Sequence, residues 1–320
     1  MSTPEILVMC PIRPVAMARL EAAYTLHRHD EAQDKPAFLA EHGPRCEAVV
    51  TNGHVGLREA DLTHLPRLGI VACSSAGYES IDVAALHARG IAVTNTSDAL
   101  CDDVADTALM LLLAARRDLV RAHAYVRSGD WAAQGMYPLL HAIRGRRAGI
   151  LGLGKIGMAI ARRLEPLGLA IGYTARSPKD VPFTYCEDVR TLAEWSDILL
   201  IAVPGGPATD RLVDAAAIEA LGPGGTIVNV ARGSVVDEPA MVDALASGRL
   251  GSAGLDVYAS EPDPDPRLTA LPNVTLYPHH ASGTVETRDA MAGLVVDNLA
   301  AHFAGAPLLT PVPADGPAAT

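Results

Sequence analysis

Positive charge, aromatic side chains and paired cysteines are all in short supply in this chain. Among 320 residues, 26 Lys and Arg stand against 37 Asp and Glu, a formal net charge of −11, and the basic residues form no run. An acidic chain without a basic stripe has no footprint for a phosphate backbone, which argues against a nucleic-acid partner. Aromatics make up only 4% while Ala, Leu, Val and Gly dominate, a composition that suits helices packed on a parallel sheet better than a β-sandwich. The five cysteines, Cys10, Cys46, Cys73, Cys101 and Cys186, lie far apart, include no CxxC and are odd in number. They read as reduced thiols of a cytoplasmic protein. His27, His29, His123 and His141 show no ligand spacing, so no metal is expected. The longest apolar run, around 108–115, is far short of the roughly 20 residues a bilayer span requires. The first residues lack the basic-then-apolar pattern of a signal peptide.

What is present is an alternation of short apolar runs with longer helical stretches. Strand candidates are 6–10, 48–51, 70–74 and 91–95, then 148–151, 170–173, 198–203, 226–230, 254–257 and 274–277. The runs are nearly continuous rather than alternating, as expected of parallel strands covered on both faces. Strand followed by helix, repeated, predicts right-handed βαβ units and an α/β fold of doubly wound parallel sheets. The stretch 102–119, capped by Asp102 or Asp103 and free of Gly and Pro, predicts a long buried helix between a first and a second set of strands. The Pro-, Gly- and Ala-rich tail from Ala306 reads as extended or loose at its end.

The clearest motif is Gly152-Leu153-Gly154-Lys155-Ile156-Gly157. A GxGxxG alone is a weak signal. Here it follows an apolar strand and opens an Ala-rich helix, the context that a dinucleotide loop requires. Gly152 permits the tight turn, Gly154 the approach of a pyrophosphate, and Gly157 the packing of helix on strand, while the helix N-terminus offers N–H groups to the anion. At the end of the next strand an NAD site places an acid for the ribose hydroxyls. This chain has Thr174-Ala175-Arg176-Ser177 there and no acid between Pro166 and Lys179. Arg176 and the Ser177 hydroxyl suit a 2′-phosphate, so the residues predict NADP (NADPH) over NAD.

Three segments follow, each at or beyond a predicted strand end: 229–237 with Arg232, 253–262 with Asp256 and Glu261, and 277–284 with His279 and His280. Ligands of open parallel sheets bind at that edge. Reduction of a 2-oxo acid needs a clamp for the carboxylate and a proton for the carbonyl oxygen. Arg232 offers a rigid two-pronged donor, and a histidine is suited to give a proton near neutral pH. Glu261, if close to it, would stabilise the imidazolium and fix the ring. Taken singly, Arg232 could be a surface arginine and Glu261 a solvated charge in an acidic, Pro-rich loop. The residues alone leave His279 and His280 as alternatives.

With Ser75-Ala76-Gly77-Tyr78, Ile81-Asp82, Val93-Thr94-Asn95-Thr96, Asp102-Asp103-Val104-Ala105-Asp106, the glycine loop and the ordered Arg232, Glu261, His279, the chain resembles the D-isomer-specific 2-hydroxyacid dehydrogenase family over nearly its full length. It is most similar to the glyoxylate/hydroxypyruvate and hydroxyphenylpyruvate reductase branch. The resemblance implies a flavodoxin-like substrate domain from residues 1–98 and 285–320 and a Rossmann cofactor domain from 99–284, with substrate in a cleft closed by a hinge. It implies Arg232, Glu261 and His279 as catalytic residues, the family pattern selecting His279 over His280. It further implies backbone N–H groups of Ala76 and Gly77 as carboxylate ligands, Asp256 facing the nicotinamide carboxamide, Val203-Pro204 lining the cofactor, and Ala231 as a further cofactor-binding residue. It implies a homodimer formed through the helix after Asp102 and the arm bearing Trp131. Cys101 and the Pro204-Gly205-Gly206-Pro207 turn depart from common versions of the pattern. A rival reading is an NAD(P)H-sensing binding protein with little dehydrogenase activity, against which the three reacting residues together argue. A formate-oxidising enzyme is disfavoured by Glu261, where those relatives carry Gln.

Overall fold

Twelve strands, every pairing parallel, build two separate sheets in the computed structural model, which describes residues 3–313. The first sheet comprises β1 (Glu5–Val8), β2 (Thr25–Arg28), β3 (Ala48–Thr51), β4 (Ile70–Cys73) and β5 (Ala92–Thr94), in the order β2-β1-β3-β4-β5. The second comprises β6 (Arg147–Leu151), β7 (Ala170–Thr174), β8 (Thr184–Tyr185), β9 (Ile198–Ile201), β10 (Thr226–Asn229), β11 (Ser252–Leu255) and β12 (Val274–Leu276), in the order β12-β11-β10-β9-β6-β7-β8. These are the doubly wound orders of flavodoxin-like and Rossmann sheets, and the order reverses between β1 and β3 in one and between β6 and β9 in the other. The chain divides into two compact units, one running to Leu100 and resuming at Ser282, the other Cys101–Ala281.

In the first unit the strand side chains alternate between two cores. Ile6, Val8, Val50 and Ile70 pack against Leu20 and Leu299 from helices Pro14–Ala23 and Val285–Phe303. Leu7, Val49 and Val71 face the opposite way, toward Leu39, Leu62 and Leu86. Two covered faces explain why these strands read as unbroken apolar runs. The chain from Ala306 does not come loose over its described part: Val312 donates to Val93 O at 2.8 Å, and Thr310 Oγ1 donates to Asn95 O at 2.6 Å. The rest of the expected loose tail lies outside the described residues. The second unit has a core of Leu199, Ile201, Ile227, Ala253 and Leu255 against Leu192, Ile218 and Met241.

Several sequence expectations move. β2 and β8 were not anticipated, because Thr25-Leu26-His27-Arg28 has a single apolar residue and Thr184-Tyr185 is two residues long, and both lie at sheet edges where one side needs no apolar cover. The runs 198–203 and 254–257 end as strands at Ile201 and Leu255. Asp256 and Val257 are nevertheless 1% and 2% exposed, so burial carried the apolar pattern past the ladder. The long helix is Ser97–Arg116, so Asp102 and Asp103 lie inside it rather than capping it. Asp102 and Asp106 instead bind Arg163, at 3.0 and 2.6 Å. One face of that helix is open, with Met110 and Leu113 exposed, and at Asp118 (φ 47°) the backbone turns left-handed before a second helix, Leu119–Arg127. Among the described residues no helix is long and apolar enough to cross a membrane.

Candidate active site

The glycine loop sits where the second sheet reverses its order. It leaves β6 at Leu151 and opens helix Lys155–Leu164, with Gly154 at the N-cap. Gly152 has φ +94°, and a Cβ there would lie 2.7 Å from Val203 Cγ1 and 2.8 Å from Ala202 O, atoms that follow β9. A Cβ on Gly157 would stand 2.0 Å from Gly152 O. Both glycines are therefore required for the loop to fold back between two strand ends and present N–H groups at a helix N-terminus. Gly152 N donates to Thr174 O at 2.9 Å, tying the loop to the end of β7. Leu153 is buried beneath the loop, and Lys155 is exposed at the first helical position. Beyond β7, Arg176 and Ser177 are exposed, Ala175 is half-buried, and the Thr174 hydroxyl donates to Cys186 O at 3.0 Å. Pro204 O accepts from Thr209 Oγ1 at 2.7 Å, which closes the turn after Val203. This cradle, with cations at two of its corners, fits a dinucleotide.

Arg232, Glu261 and His279 follow β10, β11 and β12, three neighbouring strands, so sheet order brings their segments to one edge. Glu261 and His279 touch directly: Glu261 Oε2 lies 2.6 Å from His279 Nδ1, with the side chains 26% and 31% exposed. The other carboxylate oxygen, Oε1, accepts from Tyr258 N at 2.9 Å, so both ends of Glu261 are held. An ionised carboxylate only accepts, which assigns the Nδ1–H tautomer to His279.

His279 has φ +49°, a conformation costly for a residue with a Cβ and held here by its surroundings. Asp256 supplies much of that hold. Its backbone carbonyl accepts from His279 N at 2.7 Å, and its two carboxylate oxygens accept from His280 N at 2.7 Å and Ala281 N at 3.0 Å. Burial pushes the Asp256 carboxyl up from its ordinary value, against the pull of those two N–H groups. The Tyr258 hydroxyl donates to Tyr277 O at 2.8 Å and accepts from Tyr277 N at 3.1 Å, and burial pushes it up to about 12. His280 is exposed, its ring edge-on to Tyr277.

Arg232 is half-buried, and its Nη1 donates to Ala231 O at 2.6 Å. Sequence reading passed over the residue that sets this turn. Asn229, 1% exposed, donates from Nδ2 to Arg232 O at 3.0 Å and accepts at Oδ1 from Ala231 N at 3.0 Å. A buried Asn closing an apolar strand was the available signal.

Ala76 and Gly77 lie in the first unit, on the loop after β4. Ser75 O accepts from Thr96 N at 3.2 Å, and Ala76 O accepts from Asn95 Nδ2 at 3.1 Å. A trans peptide sets N–H opposite C=O, so pinning these carbonyls fixes the directions of the Ala76 and Gly77 N–H groups. Asn95, one residue past β5, is a second Asn support at a strand end, and it appeared in the sequence only as part of the Val93-Thr94-Asn95-Thr96 motif with no role assigned.

Comparison with known proteins identifies the family. Residues 109–281 match the family model described as D-isomer specific 2-hydroxyacid dehydrogenase, NAD binding domain. A hydroxyphenylpyruvate reductase from Plectranthus scutellarioides is 44% identical over 308 residues, covering 96% of this chain and 98% of the relative. The structure of a 2-hydroxyacid dehydrogenase from Ketogulonicigenium vulgare superposes with a TM-score of 0.92 at 48% identity, covering 98% of this chain and 99% of that one. An NADPH-dependent glyoxylate/hydroxypyruvate reductase from Sinorhizobium meliloti, in complex with NADP and malonate, gives 0.89 at 41% identity and 98% of both chains. The chain thus belongs to the D-isomer specific 2-hydroxyacid dehydrogenase family, as an NAD(P)-dependent oxidoreductase of its glyoxylate reductase-like branch.

Proposed function

We propose that this protein reduces small 2-oxo acids of the glyoxylate and hydroxypyruvate type to D-2-hydroxy acids, with NADPH preferred over NADH. The observation that carries the reading is the 2.6 Å pair of His279 and Glu261, set on strand ends next to the one that bears Arg232. A bound reduced nicotinamide supplies the hydride for C2. Arg232 draws charge toward the carbonyl oxygen and pairs with the carboxylate, while Ala76 and Gly77 N–H groups take the carboxylate as well. His279 passes the proton on Nε2 to the carbonyl oxygen as it becomes a hydroxyl, and Glu261 holds the ring and its charge. His279 regains a proton from solvent.

The cofactor is held by Gly152, Gly154 and Gly157 with the helix N-terminus at Lys155. The preference for NADPH rests on Arg176 and Ser177, exposed beyond β7 in a stretch without an acid. The Sinorhizobium relative's use of NADPH supports it. We assign substrate binding to the first unit and cofactor binding to the second. We also assign the working form as a homodimer. Helix Leu119–Arg127 has no buried residue, and Trp131, Met136 and Leu139 beyond it are 60%, 82% and 90% exposed, apolar area that a second copy would cover. The five free cysteines support a cytoplasmic setting.

The test is loss of reduced-nicotinamide absorbance with glyoxylate, hydroxypyruvate and an arylpyruvate, each with NADPH and NADH. Turnover of a small 2-oxo acid that is faster with NADPH is expected. Tight NADPH binding without turnover of any of the three would overturn the reading.

A further inference from the structure

We infer that Glu238 is a positioning residue for the His279–Glu261 pair, acting through the single peptide group that joins Tyr258 to Ala259. The inference rests on the proposed roles of that pair. Glu238 is the first residue of helix Glu238–Ala246 and only 7% exposed. A carboxylate rarely goes so deep without a partner that offsets its desolvation. Capping does not account for it, because Asp237 already caps this helix by accepting from Ala240 N at 3.1 Å. Glu238 Oε2 reaches across and accepts from Ala259 N at 2.9 Å, a contact spanning 21 residues.

The same peptide group is gripped from a second side. A Cβ on Gly233, the residue after Arg232, would lie 1.9 Å from Tyr258 C and O and 2.3 Å from Ala259 N. The segment from Arg232 to Glu238 therefore closes on the Tyr258–Ala259 peptide at both its ends, by backbone contact at Gly233 and by a charge-assisted hydrogen bond at Glu238. Tyr258 carries the constraint onward, since its own N–H donates to Glu261 Oε1 at 2.9 Å while Glu261 Oε2 meets His279 Nδ1 at 2.6 Å. Glu238 touches neither of the reacting side chains. It fixes the loop whose N–H group aims the Glu261 carboxylate, and it binds that loop to the segment bearing Arg232.

The test compares Glu238→Ala, Glu238→Asp and Glu238→Gln in the full chain. Gln keeps an acceptor oxygen at the same reach, Asp keeps the charge but falls short, and Ala removes both. Misplacement of a reacting group by an ångström can cost on the order of a hundredfold in rate. We expect Ala and Asp to lose about tenfold in kcat with a 2-oxo acid, a partial misplacement, while KM for NADPH stays within about twofold and Gln retains near-normal kcat. A second readout needs no turnover. The His279 Nδ1–H proton in its short bond to Glu261 gives a downfield NMR resonance, assigned by its loss in Glu261→Gln. It should persist in the wild type and Glu238→Gln and be lost or move upfield in Glu238→Asp and Glu238→Ala. Absence of turnover in the wild type would sink the reductase reading while the resonance still decides this one. An unchanged resonance in Glu238→Asp, or a Gln variant as impaired as Ala, would overturn the positioning role.

Discussion

Replacing Gly157 with alanine should cripple cofactor binding more than it harms the fold. The added Cβ would stand 2.0 Å from Gly152 O and 3.0 Å from Gly152 C. An ordinary C···O approach is about 3.3 Å, so the helix or the loop has to give by roughly 1.3 Å. The obstacle is backbone, not the free end of a side chain, and the loop is anchored behind by Gly152 N on Thr174 O at 2.9 Å. Overpacking of this kind costs about 1–3 kcal/mol, which for a domain of this size is a Tm loss of roughly 2–12 °C. The N–H groups that would cradle the pyrophosphate move by most of that distance, so NADPH affinity should fall about ten- to a hundredfold. Fluorescence titration with NADPH and a thermal melt measure the two effects separately. Gly293→Ala is the control. It lies in helix Val285–Phe303 with nothing within 4 Å of its would-be Cβ, and should gain about 0.5–1 kcal/mol of stability. NADPH affinity within twofold of wild type in Gly157→Ala would refute the close-approach argument.

Other perturbations report on other parts of the structure. Arg176→Ala should raise KM for NADPH about tenfold, the scale of one lost charge-assisted hydrogen bond, and leave KM for NADH nearly unchanged; equal effects on both cofactors would deny it a 2′-phosphate contact. Arg116, 8% exposed, donates from Nη1 to Gly224 O at 2.8 Å and to Thr226 Oγ1 at 3.2 Å. Arg116→Ala should cost about 2–3 kcal/mol in a denaturant melt by stranding those acceptors, with NADPH affinity kept. His29 is 6% exposed with Nδ1 unpartnered, and burial, aided by the Lys35 cation and opposed by Asp61 and Asp30, lowers it below its ordinary 6.5. The folded state then favours neutral imidazole, so this group's contribution is present above pH 6.5 and is lost as pH falls through the depressed folded value. His29→Leu should flatten the decline of Tm with acid over that window; an unchanged slope would assign the decline elsewhere.

Much of the fold was legible because burial on both faces leaves an apolar mark in local sequence. Every central strand was found, and the two that were missed, Thr25–Arg28 and Thr184–Tyr185, lie at edges where that mark fades. Strand ends were read too late where Asp256 and Val257 stay buried beyond the end of β11. The long helix began five residues before the expected cap, because the acids at 102 and 106 serve Arg163 and not the helix terminus.

The sequence by itself determined the parallel α/β class and the glycine loop, since each depends on local composition or on a motif of neighbouring residues, while Arg232, Glu261 and His279 came only as candidates, from the order of three distant segments and the resemblance to a family. Only the tertiary structure decided that Glu261 meets His279 across 18 positions at 2.6 Å, that Asp256 holds the left-handed turn at His279, and that Asn229, Asn95 and Glu238 brace the loops between. The bonds of Glu261, Asp256 and Glu238 join strand ends that are adjacent only because β10, β11 and β12 lie side by side, and the Asn95 bond joins the loops after β4 and β5, neighbours in the other sheet. A hydrogen bond between residues far apart in the chain leaves no periodicity in either partner, so it becomes visible only once the sheet order is known.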